Sequence, residues 1–210
     1  MLKRNSYLSD QTRKENNDFN QVWISQNQFL GSENIEVKDL DISLKQKKDS
    51  IDFQVVWLKN IDRLINLLPS DFNFKEYGLV DIGCGSGIST LYFASNYRFK
   101  YYYGFDCSSN LLELAEKNKQ KFLENKSSKL NIKFELNDAT KIKFIRSSVL
   151  FMFNPFGFET VEKMILNNLS NLKKSKSIIL YANDLHIDLI LDHGMLLNRN
   201  DIFNLSCIQF

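Results

Sequence analysis

From residue 77 onward, short apolar runs alternate with longer segments whose apolar residues recur every three or four positions. The apolar runs at 77–82, 100–106, 131–136, 149–153 and 177–181 read as five strands. Between them, 86–97, 108–124 and 159–172 carry helical spacing; in the second, Leu111, Leu112, Leu114, Ala115 and Phe122 point inward, and Ser108 is its expected cap. Val149-Leu150-Phe151-Met152-Phe153 is apolar without interruption, the pattern of a central parallel strand covered on both faces. A short helix is expected from Asp184 to about Asp192, and residues 195–210 have room for two last strands, a hairpin at the sheet edge. Strands alternating with helices predict a doubly wound α/β domain.

Ahead of residue 77 the pattern is weaker. Residues 1–18 are polar and aperiodic, a flexible or weakly helical lead. Residues 19–30 set Phe19, Val22, Trp23, Ile24 and Phe29 in a polar background, a short helix expected to fold onto the domain, with the first 30 residues ordering over the cofactor or substrate. Residues 31–48 are mixed and end in Lys45-Gln46-Lys47-Lys48, a solvated charge run. Asp49 and Ser50 then precede Ile51, Val55, Leu58, Ile61, Ile65 and Leu68, which spacing predicts as one face of a capped helix stopped by Pro69. The expected division is an N-terminal extension over 1–48, a candidate lid, and the main domain over 49–210.

Composition narrows this little. The 210 residues, 43% hydrophobic, suffice for one core. Lys+Arg 27 against Asp+Glu 25 gives a net charge of +2, which argues against a large nucleic-acid footprint. No apolar run reaches membrane-spanning length, and the opening residues lead into no signal-type stretch. Cys84, Cys107 and Cys207 are too far apart for a metal motif and read as reduced thiols of a cytoplasmic protein.

The candidate chemistry begins at Val80-Asp81-Ile82-Gly83-Cys84-Gly85-Ser86-Gly87, a strand, a glycine turn and a helix start. Closely spaced glycines permit positive φ and close approach of a ligand to backbone N–H groups. The dinucleotide pattern Gly-x-Gly-x-x-Gly would need glycine where Ile88 stands. Asp106 closes the next strand, about 20 residues on, where an acidic side chain can take both ribose hydroxyls.

Gly-x-Gly-x-Gly preceded by Asp81 resembles the first motif of class I S-adenosylmethionine (SAM)-dependent methyltransferases. The resemblance implies a Rossmann-like, mostly parallel seven-stranded sheet with helices on both faces, an antiparallel strand at its edge and an N-terminal helical extension. It implies SAM as cofactor, held by Asp81, Gly83, Cys84, Gly85 and Gly87, with its ribose on Asp106. In Asn137-Asp138-Ala139 it implies adenine recognition by Asp138 and the backbone of Ala139, with Phe105 and Cys107 packing alongside.

Asn154-Pro155-Phe156-Gly157 resembles the Asn/Asp-Pro-Pro-Tyr/Phe motif of amino-methylating members, with one proline in place of two. It is also similar to the Asn-Pro-Phe-Gly strand end of a Dot1-like bacterial group. By that resemblance Asn154, Pro155 and Phe156 are catalytic: Asn154, held extended by Pro155, orients the acceptor beside the sulfonium, and Phe156 walls it. Tyr181 and Asn183 are candidate substrate contacts, and His186 and His193, the two histidines, are surface residues or bases.

The expected reaction moves a methyl group to nitrogen or oxygen of an unidentified acceptor: small molecule, sugar or protein. No metal is implied. A non-catalytic SAM-binding module and a nicotinamide-dependent oxidoreductase are the alternatives, the second weakened by Ile88.

Overall fold

The computed structural model describes residues 2, 4, 5, 7–124 and 130–210; Met1, Lys3 and Ser6 of the polar lead and residues 125–129 lie outside the described residues. The domain is built on β1 (Gly78–Ile82), β2 (Tyr102–Asp106), β3 (Ile132–Leu136), β4 (Ser148–Phe153), β5 (Ile178–Ala182), β6 (Met195–Asn200) and β7 (Leu205–Gln209). These form one sheet in the order β3-β2-β1-β4-β5-β7-β6. Neighbours among β1 to β5 are parallel, and β7 runs antiparallel to both β5 and β6. The order reverses between β1 and β4, which is where a doubly wound sheet opens a crevice beyond its strand ends.

The period-two alternation of the central strands divides their side chains between two apolar layers. Leu79, Phe151, Ile178 and Leu180 join one layer, with α1 (Asp10–Gln26), α3 (Leu58–Ile65), α4 (Ile88–Asn96) and α5 (Ser109–Glu124). Val80, Leu150, Met152 and Ile179 join the other, with α6 (Phe158–Ser175) and α7 (Ile187–Leu191). Because both faces are covered, β1 and β5 are buried along their whole length. The seven-stranded, mostly parallel sheet is the one the alternation of strands and helices predicts. Among the described residues, no helix is long and apolar enough to cross a membrane.

The first 57 residues differ from the expected elements. The aperiodic lead and the short helix are one helix, α1, capped where Ser9 accepts from Thr12 N. Its buried face is largely polar, with Asn16 and Asn20 beside Ile24. Asn20 donates to Val56 O and accepts from Leu58 N at the start of α3, so an asparagine does the work expected of an apolar residue. Phe19 and Trp23 pack on Tyr92 of α4.

The helix expected from Asp49 begins only at Leu58. Residues 50–57 contain no helix, because Phe53 pairs with Ile35 in an antiparallel bridge and the Asp49 carboxylate caps another helix. The short helix α2 (Leu44–Lys47) precedes this stretch, closed by a capping box between Ser43 and Gln46.

Candidate active site

β1 leads directly into the glycine turn. Gly83 and Gly85 have φ of +70° and +52°, and a side chain at either has no room. A Cβ on Gly83 would lie 2.3 Å from Pro155 Cβ, and one on Gly85 2.1 Å from the Phe53 ring. Tight packing of backbone against ring and proline therefore requires glycine at both positions. Gly83 N and Cys84 N donate to Phe105 O, tying the turn to the end of β2.

Asp106 is oriented by two backbone donors, Gly85 N to Oδ2 and Ser108 N to Oδ1, both at 2.9 Å. Each carboxylate oxygen keeps a lone pair for a further donor. Burial raises the pKa of Asp106, with those backbone hydrogen bonds pulling it back down. Asp81 lies deeper, 2% exposed, accepting from Thr90 Oγ1 at 2.6 Å. Burial pushes its carboxyl up to about 7 against the Thr90 hydrogen bond.

These strand ends open on one cavity of about 410 Å³. Of the residues singled out in the sequence, Asp81, Gly83, Cys84, Asp106, Cys107 and Asp138 line it. So do Ala139, Asn154, Pro155 and Phe156. Gly85 and Gly87 are not in its wall; they shape the turn behind it. Asp138 is partly committed to its own turn: Oδ1 accepts from Thr140 N and Oγ1, and Oδ2 faces Lys141 at 3.5 Å. Burial pushes the Cys107 thiol up to about 12, so it is a neutral wall group rather than a nucleophile.

Asn154 departs from the extended conformation expected ahead of Pro155. Its φ is +41°, in the left-handed region that asparagine tolerates better than other side-chain-bearing residues. The turn leaves the side chain 7% exposed, with Oδ1 buried and without a hydrogen-bond partner. A buried amide carbonyl in that state calls for a donor, from water or from a ligand. Asn183, at the end of neighbouring β5, also has positive φ, +54°, and also lines the cavity. Tyr181, expected to touch substrate, is fully buried in the second apolar layer, its hydroxyl accepting from His186 N.

His186 lies outside the cavity lining, against Phe158 at 6.1 Å between ring centroids, and burial lowers its pKa. His193 lies on a separate cavity of about 260 Å³ between α6 and α7, beside Glu162, Asp188 and Asp192.

The opposite wall comes from a strap over residues 40–55. It is fastened at two helix starts, where free N–H groups attract carboxylates. Asp41 accepts from Ser108 Oγ, Ser109 Oγ and Asn110 N at the head of α5. Asp49 accepts from Thr160 N at 2.7 Å at the head of α6, and its carbonyl accepts from Gly157 N at 2.7 Å. Ser50 and Phe156 pair beside that anchor. The strap thus crosses from the β2 side to the β4 side of the crevice. Its first part belongs to the extension expected as a lid; its second differs from the helix expected from Asp49, and the alternation of Ile51, Phe53 and Val55 was the signal there, masked by an equally good helical spacing.

Residues 79–175 match the family described as a methyltransferase domain. No curated protein sequence matches the chain. Among solved structures, the chain is similar to the magnesium protoporphyrin IX methyltransferase of Synechocystis PCC 6803 with bound SAH, at 14% identity and a TM-score of 0.52, over 95% of this chain and 98% of that one. It is also similar to the tRNA m1G37 methyltransferase of M. jannaschii, at 15% identity and a TM-score of 0.50, over 73% of this chain and 48% of that one. At such identities the two structures speak for the fold alone. The family match falls on the segment from β1 to the end of α6, which holds the glycine turn, Asp106, Asp138 and Asn154. Residues 79–175, on the Rossmann-like sheet described above, thus carry the match to a methyltransferase domain.

Proposed function

We propose that the cavity binds SAM and that the chain transfers its methyl group to nitrogen or oxygen of an acceptor held at Asn154. The observation that carries this reading is the placement, in one cavity, of the Asp106 carboxylate and the unpartnered Asn154 carbonyl, on strands that flank β1 on either side. The residues present fit the cofactor. Asp106, aligned by Gly85 N and Ser108 N, has lone pairs free for the two ribose hydroxyls. Cys107 and Ala139 offer uncharged surface for the adenine, with the Asp138 carboxylate at its edge. Gly83, Cys84 and Ser86 of the turn line the cavity where the methionine end would lie.

Bound SAM would supply an electrophilic methyl group on a cationic sulfur. What remains for the protein is alignment, an orientation effect. Asn154 accepts the acceptor's N–H or O–H while adding no charge, and Phe156 limits how the acceptor tilts. Free thiols at Cys84, Cys107 and Cys207 accord with a reducing, cytoplasmic setting. The test is calorimetry with SAM, its product S-adenosylhomocysteine (SAH) and NAD. SAM and SAH are expected to bind and NAD is not; binding of NAD alone would replace this reading with the oxidoreductase one.

A further inference from the structure

Given that reading of the cavity, we propose that the methyl acceptor is a small uncharged molecule with an O–H or N–H donor on an apolar body. The sheet order separates the cavity into two halves. Asp106 and Asp138 follow β2 and β3 on one side of β1, with Asp81 on β1 itself. Asn154 and Phe156 follow β4, and Asn183 and Leu185 follow β5, on the other side. The strap and α6 close that second half with Ile51 and Thr160.

Every charged side chain in the described lining is an aspartate, and the fourth, Asp52, belongs to the strap, where its Oδ1 accepts from Val37 N. No Lys, Arg or His side chain lines the cavity among the described residues. The lining residues that follow β4 and β5 carry only amide, hydroxyl, aromatic and aliphatic groups. A phosphate or carboxylate placed there would be desolvated with no cation to meet it, which is strongly unfavourable. Arg4 lies outside the lining; its guanidinium donates to Asn183 Oδ1 and lies 3.6 Å from the Asp184 carboxylate, which Arg199 also pairs.

None of the lining residues that follow β4 and β5 is a carboxylate, so an ammonium ion finds none on those strand ends either; the strap's Asp52 accepts from Val37 N. What the half does present is the buried, unpartnered Oδ1 of Asn154, an acceptor that a neutral N–H or O–H satisfies. Size points the same way. A cavity of about 410 Å³ that must also take the cofactor leaves room for a compact partner. Its outer wall is tied down at Asp41 and Asp49, so it is not an open shelf for a folded RNA. In the transfer, the methyl–sulfur bond breaks as the methyl–oxygen or methyl–nitrogen bond forms. Sulfur keeps the electron pair as a neutral thioether, and the acceptor's proton passes to water.

The experiment has two stages. Calorimetry with SAH first establishes the cofactor site; absence of binding removes the underlying reading, and the present proposal with it. The enzyme is then incubated with methyl-tritiated SAM and an extract of the source organism. The extract is divided into macromolecules, small molecules retained by an anion or cation exchanger, and small molecules retained by neither. Label is expected in the last fraction. Label confined to RNA, protein or the retained ions overturns the proposal, as does no transfer to any fraction by enzyme that binds SAH. Leu185→Glu, at a side chain 46% exposed, is expected to cut labelling of the unretained fraction about tenfold or more while SAH affinity holds. Undiminished labelling by that variant also contradicts it.

Discussion

At the scale of single residues, the site rests on a few polar atoms whose partners are fixed. Asp106→Ala removes a carboxylate held by two backbone N–H groups, and SAM affinity is expected to fall by roughly 1–3 kcal/mol in a calorimetric titration. Asn154→Ala is expected to act differently. Its carbonyl has no partner inside the protein, so its removal leaves SAM binding nearly unchanged and lowers kcat once an acceptor is in hand. Turnover within a few-fold of wild type would reduce Asn154 to a strand-ending turn.

Asp81 gives a pH prediction. Its carboxyl is raised to about 7 by burial, so the folded protein keeps a proton that the unfolded chain releases near 4. The stabilising contribution is complete below that lower value and is lost as pH rises through about 7. Asp81→Asn retains an acceptor for Thr90 and cannot ionise. Thermal melts between about pH 5 and pH 8 should therefore show a smaller loss of stability in the variant than in wild type. Equal slopes would mean that Asp81 does not hold its proton.

At the scale of elements, the strap is the part that spacing concealed. Ile51, Val55 and Leu58 fit a helix face and Ile51, Phe53 and Val55 fit a strand; only long-range partners decide between them. Those partners are Ile35, paired with Phe53, and the heads of α5 and α6, capped by Asp41 and Asp49. No local rule sees a carboxylate capping a helix that begins about a hundred residues later. The same is true of α1, whose buried face is asparagine-rich because Asn20 serves the backbone of Val56 and Leu58. Where the inward face is apolar, as in the strands and α5, pattern and structure agree.

Asp49→Ala should cost about 1 kcal/mol of stability, the scale of a lost helix cap, read as a lower midpoint in urea. It should also speed exchange of the amides of residues 49–56 relative to those of β1. Unchanged exchange there would show that the strap is held by its apolar contacts alone.

At the scale of the whole molecule, the sheet and its two apolar layers were legible because a strand covered on both faces must be apolar throughout. Phe151 is 1% exposed and lies under α4, where it meets Phe93 at 5.1 Å between centroids. Phe151→Ala should destabilise the fold by about 3–5 kcal/mol in denaturant titration. The residues at the strand ends were legible too, since topology dictates where the crevice opens. What lay beyond the sequence was how Asn154 turns, how Asp138 divides its carboxylate between turn and cavity, and which segment supplies the opposite wall.

The central claim is that these strand ends hold SAM, with Asp106 on the ribose. Isothermal titration of the full chain with SAH, beside Asp106→Ala, tests it most directly. The account predicts one site in the wild-type protein and affinity lower by about fivefold or more in the variant, with the variant's melting behaviour preserved. Absence of SAH binding to folded wild-type protein, or equal affinity in the two proteins, would contradict it.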